Sequence, residues 1–237
     1  SDRFGFNNPD TEWDSEEIEF LLVGDSFTMG SCVNRPHDIA SKLRLLSNKN
    51  VLNLGYVANG PLFQYATLRE YLDKNVKNVI WLYYENDIFN LDRDLQSKIL
   101  LKYLKNKNFS QKLKFKQSKI DNNLTKFLIK VEDLEAKKQL IDKEEKNSLI
   151  YKIEKFITLK NVRELFLDKY FKKHNIQKKI QPEFEQILSE SKKLSDKNNS
   201  DFYFVFLPSY ERYAYGYDKD QILYNQIKII VNKLNIK

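Results

Sequence analysis

Short apolar strands alternating with amphipathic helical segments, over residues 1–90 and again from about 201, predict an α/β fold built on a parallel sheet. Three observations carry this. Glu19–Val23, Val51–Leu54, Val79–Tyr84 and Phe202–Leu207 are runs rich in β-branched and aromatic residues, the pattern of strands covered on both faces. Asp38–Leu46 and Leu62–Leu72, between them, repeat apolar residues at helical spacing, so strand and helix alternate and right-handed crossovers make the sheet parallel. Glycine, asparagine and aspartate follow directly behind the first three strands, where an open α/β sheet keeps its binding crevice.

Taken in order, the chain begins with Phe4-Gly5-Phe6-Asn7-Asn8-Pro9 leading to Trp13, read as a strap over the domain. The first strand stops at Gly24 and the second at Asn53-Leu54-Gly55. The third stops at Tyr84-Glu85-Asn86-Asp87. Residues 91–200 then change texture: they are rich in Lys, Leu, Ile and Asn, with no Gly and a single Pro, which predicts helices only. Leu91–Leu104, Leu124–Lys138, Glu145–Phe156, Leu159–Phe171 and Pro182–Leu194 are the helices expected, with Pro182 suited to a first turn. This stretch is read as a helical insertion or lid within a single domain spanning 1–237. A final helix is expected over Asp218–Leu234, packed on the sheet.

Composition narrows the function classes. With 237 residues, 41% hydrophobic and 14% aromatic, a core of ordinary size is available. No stretch approaches the length of an apolar membrane span, and Ser1-Asp2-Arg3 shows neither an initiator Met nor a signal-peptide pattern, which reads as a processed or cut end. The single Cys32 excludes an internal disulfide and a cysteine-rich zinc site. The net charge of +7 would suit phosphate binding. Its distribution points elsewhere: about +11 lies within 91–200 and about −4 in the remainder. No nucleic-acid motif accompanies the excess, so the lysines are read as a solvated helical face, with an anionic membrane surface or polysaccharide as the lesser alternative.

Chemistry is concentrated behind the three strands. In Gly24-Asp25-Ser26-Phe27-Thr28-Met29-Gly30, glycine allows a sharp turn, Asp25 can bond the turn backbone, and Ser26 lies at the sheet mouth. A plain strand-to-helix loop capped by serine is the competing reading. Next, Asn53-Leu54-Gly55-Tyr56-Val57-Ala58-Asn59-Gly60-Pro61 forms a loop whose amides, flanked by Gly55 and Gly60, can point into the same crevice, as an oxyanion hole requires. In the third block, Asn86 can donate a side-chain amide and Asp87 can fix the loop. Ser209, Tyr210 and Arg212, behind the fourth strand, are candidates for shaping a substrate pocket. Cys32 reads as inert.

In this order, the Gly-Asp-Ser, Asn-x-Gly and Asn-Asp blocks resemble the SGNH/GDSL hydrolases, over residues 19–90 and loosely over 202–207. The resemblance implies a three-layer α/β/α sandwich with a flavodoxin-like parallel sheet, and Ser26 as nucleophile. Oxyanion donors would be the Ser26 amide, a second-block amide falling on Ala58 with Gly60 as substitute, and the Asn86 side chain. Two departures stand out. Tyr84 occupies a position that is glycine in the family's third block, and the family's Asp-x-x-His, which supplies the general base, is absent. Of the two histidines, His37 precedes a predicted helix and His174 lies in the lysine-rich segment. The missing block is expected to follow Lys237. The activity implied is that of a serine esterase or acyltransferase on a small acyl ester, such as an acetylated carbohydrate, needing neither metal nor organic cofactor. The alternative is a binding or scaffold domain of the same shape without a base. A periplasmic or cell-envelope location is implied by the resemblance alone.

Overall fold

The computed structural model describes residues 1–73, 75–146, 180–214 and 221–237. The chain divides into two compact units, 1–115 with 178–237 and 116–177. In the first unit lies a four-stranded, wholly parallel sheet in the order β2-β1-β3-β4, formed by β1 (Ile18–Gly24), β2 (Val51–Asn53), β3 (Val76–Tyr84) and β4 (Asp201–Leu207). The next strand in sequence after β1 lies on one side of it and the one after that on the other, so the chain reverses its winding between β1 and β3. That reversal opens a crevice at the carboxyl ends of the strands.

Side chains alternate across the sheet, and the two faces meet different helices. Leu22, Val51 and Leu82 pack with Ala40 of α2 (Ile39–Ser47) on one face. The other carries Leu21, Val23, Trp81 and Tyr83, packed with α3 (Pro61–Tyr71) and, further along the chain, α7 (Pro182–Lys197) and α9 (Gln221–Lys233). Aromatic rings fill this larger layer: Tyr83 meets Phe184 edge-on at 5.4 Å and Phe206 nearly parallel at 6.0 Å. Such contacts each add about 0.5–1.5 kcal/mol to the burial itself.

Of the segment 91–200, residues up to Phe115 and from Lys178 belong to the first unit. The run expected as one helix over Leu91–Leu104 is two, α4 (Asp87–Leu95) and α5 (Lys98–Lys105), because the Ser97 side chain accepts from the Leu100 amide and starts a new helix. In the second unit, α6 (Gln117–Lys146) is longer at both ends than the helix expected over Leu124–Lys138. The helices expected beyond Lys146, together with His174, fall outside the described residues, as do 215–220 at the start of the last predicted helix. No helix among the described residues is long and apolar enough to cross a membrane.

The predicted strap is present, and it also closes the sheet. Asp2 accepts from the Phe4 and Phe6 amides, the Asn8 carboxamide and the Trp13 indole, folding the segment on itself. Phe4, Phe6 and Trp13 then gather around Tyr71. Along the outer margin of β2, Asn8 exchanges bonds with the backbone of Asn53 at 2.8 and 3.0 Å, Glu12 accepts from the Val51 amide, and Arg44 donates to the Val51 carbonyl. At the opposite margin the Phe204 amide donates to the Lys237 carbonyl at 2.9 Å.

Candidate functional site

Ser26 opens α1, a single turn over Ser26–Met29, immediately behind β1. Asp25 caps it, accepting from the Phe27 amide at 2.9 Å, and lies 3.5 Å from the Ser26 hydroxyl. Burial pushes the Asp25 carboxyl above its usual range, opposed by the amides it accepts. Gly24 is required here for close approach: a Cβ would lie 2.0 Å from Thr28 Oγ1 and 2.5 Å from the Leu82 carbonyl. At Gly30 the reason is backbone conformation, with φ at 77° ending the turn.

The β2 loop is held against this turn. Asn53 donates to the Thr28 carbonyl at 2.7 Å and accepts from the Gly55 amide at 2.8 Å. A Cβ on Gly55 would stand 2.4 Å from the Met29 amide nitrogen. Gly55 therefore serves contact between loops, with its amide committed to Asn53. Gly60 behaves likewise on the other side, where a Cβ would reach within 2.5 Å of Asp94 Oδ2. The same Asp94 oxygen accepts from the Phe63 amide at 3.0 Å, capping α3 from outside. Tyr56, Val57 and Ala58 stand exposed between these two anchors. Ala58 has φ 58°, so the loop adopts a left-handed turn with an alanine in it; Arg93 bonds its carbonyl.

The β3 loop joins from the other side. Asn86 is exposed, flanks the start of α4 and makes no capping bond with its side chain. Asp87 is fully buried and accepts from Gln64 at 3.0 Å through one carboxylate oxygen. Burial, reinforced by the neighbouring Asp25 charge, pushes the Asp87 carboxyl up to about 8. Gln64 is the joint between the two loops: its amide also donates to the Asn59 carbonyl at 3.0 Å, and its oxygen accepts from Trp81 at 2.6 Å. Sequence reading passed over Gln64; the signal was a polar residue on the otherwise apolar face of a helix.

Phe27 and Tyr84 stack, tying the β1 and β3 exits together at the crevice. Glu85 accepts from the Ser209 amide at 2.7 Å and donates its own amide to the Leu207 carbonyl, so the β4 exit is fixed to the third block. Arg212 falls in α8 (Tyr210–Ala214), its side chain outside the described residues.

Beside Ser26 lies a cavity of about 270 Å³, walled by the turn and by the loop leading to α2. Phe27, Cys32, Val33, His37 and Ile39 line it together with Ser26. His37 is thus brought to the serine's own pocket, whereas Ala58 and Asn86 lie on the loops of the two adjoining strands. Among the described residues, no three His, Cys, Asp or Glu side chains converge as a metal site. Comparison with known proteins gave no matching family model, no significant match among curated proteins and none among solved structures.

Proposed function

We propose that this chain is a serine esterase or acyltransferase of SGNH type, acting on a small acyl ester such as an acylated carbohydrate. The observation that carries the reading is a serine behind a central parallel strand that lines a cavity, with Ala58 and Asn86 exposed on the two neighbouring loops. In the mechanism, Ser26 Oγ attacks the acyl carbonyl. Its proton passes to His37, which shares the cavity. The developing oxyanion is held by the Ser26 and Ala58 amides and the Asn86 carboxamide. Collapse expels the alcohol, which takes the proton from His37, and water or a sugar hydroxyl resolves the acyl-enzyme.

A second reading, a binding domain of the same shape, is favoured by one detail. Asp38, next to His37, has both carboxylate oxygens bonded to Ser41, at 2.9 and 2.6 Å, so the acid nearest in sequence is engaged in capping α2. Fluorophosphonate labelling followed by peptide mass spectrometry decides between the two. An adduct on Ser26, abolished by Ser26→Ala, is expected. A folded protein left unmodified would end the esterase reading.

A further inference from the structure

We propose that the cavity beside Ser26 binds the acyl chain, and that it takes an extended, uncharged alkyl chain of about six to eight carbons in preference to acetyl. The inference rests on Ser26 being the acylated residue, and it names the acyl class.

Size is the first argument. At about 30 Å³ for each water-sized group, which is close to the volume of a methylene, a cavity of about 270 Å³ holds several more groups than an acetyl provides. Lining chemistry is the second. Phe27 is 49%, Val33 47% and Ile39 37% exposed, and all three face this one cavity, whose surface is mostly carbon. Apolar side chains converging on a hollow, with a few polar groups at one reacting centre, are the arrangement of a ligand pocket. Among the described residues no lysine or arginine lines it, whereas Asp38 does, so a dicarboxylic acyl group would meet no fixed positive charge.

The wall is also preformed. The loop from Gly30 is stitched by bonds from the Gly30 and Ser31 amides to the Ser26 carbonyl, from Val33 to Gly30 and from His37 to Asn34. Asn7 of the strap donates to the Met29 carbonyl at 2.7 Å. A Cβ on Gly30 would lie 2.6 Å from Asp38 Cβ, so the two ends of the loop are in contact. Such a loop keeps its hollow open, and an alkyl chain gains the apolar contact without first ordering the loop.

Cys32, the chain's single cysteine, lines the cavity and is exposed, so it reports occupancy directly. The rate of its reaction with Ellman's reagent is measured in the Ser26→Ala protein with sodium octanoate or sodium acetate. Burying a methylene strengthens binding up to about fourfold, so octanoate should slow the reaction at concentrations at least about tenfold below any effect of acetate. Val33→Trp, which fills the cavity, should remove the protection, as should Val33→Asp. Leu45→Trp, on the exposed surface of α2, should keep it. Equal effects of the two acids, or octanoate protection undiminished in both Val33 variants, would overturn the proposal. Because the readout is binding with the serine removed, this result stands apart from the fluorophosphonate test: an unlabelled Ser26 ends the esterase reading, whereas loss of chain selectivity ends this one.

Discussion

The ring of Phe27 lies over that of Tyr84, centroids 3.9 Å apart and planes inclined by 23°. Phe27 follows the candidate nucleophile, and Tyr84 stands where the resembled family has a glycine. The stack therefore joins the β1 exit to the β3 exit through side chains, beyond the backbone pairing that ends at Gly24 and Leu82. Aromatic pairs of this kind contribute about 0.5–1.5 kcal/mol. A double-mutant cycle of Phe27→Leu with Tyr84→Leu, read by urea unfolding, should give a coupling energy of about 1 kcal/mol. A coupling of zero would mean that the rings touch without holding the turn.

Ala58 occupies the left-handed region at φ 58°, which costs an L-residue about 1–2 kcal/mol. Glycine removes that strain and gives back about 0.5–1 kcal/mol through the freedom of the unfolded chain. Ala58→Gly should therefore stabilise the protein by about 0.5 kcal/mol, with fluorophosphonate labelling no slower than wild type. Ala58→Val, with a branched Cβ in the same region, should lower both stability and labelling.

The buried Asp87 carboxyl gives stability a dependence on pH. Its unfolded value is about 3.9 and burial raises the folded value to about 8. Between these limits the folded chain holds a proton that the unfolded chain has released, so stability is greatest in acid and falls as pH rises through the window, levelling off above it. Asp87→Asn keeps an oxygen for the Gln64 amide and cannot ionise. Its stability relative to wild type should grow from pH 5 to pH 8, by at most about 1.4 kcal/mol per pH unit, in urea titrations at several pH values. A difference that stays flat with pH would show that the carboxylate is accommodated.

His37 shares the cavity with Ser26, and a general base contributes about 10²–10⁴-fold. His37→Gln should slow fluorophosphonate labelling by at least about 10²-fold, with partial recovery in added imidazole. Unchanged labelling would remove His37 from the mechanism.

The strands were legible because each carries a continuous apolar run, and all four agree with expectation to within three residues at every end. The crevice was legible for a related reason: the loops behind the first three strands concentrate glycine with asparagine and aspartate. What each glycine does was not. Gly24, Gly55 and Gly60 all read as turn residues, yet each is excluded from carrying a side chain by a neighbour distant in sequence or lying across the turn, and such contacts leave no periodicity. Gln64 escaped notice for the same reason, since its partners Asn59, Trp81 and Asp87 come from three separate elements. The break between α4 and α5 was present in the sequence as Ser97, but the apolar rhythm on either side outweighed one capping residue.

Asn8, Glu12 and Arg44 occupy, with side chains, the very sites along β2 that another strand would use. A newly made chain crowded among its copies offers no ladder there for a neighbour to extend, which protects an apolar sheet from growing into aggregates. The protection is delivered by polar residues from a short leading segment and a single helix, so losing that segment to proteolysis would expose an adhesive rim along β2.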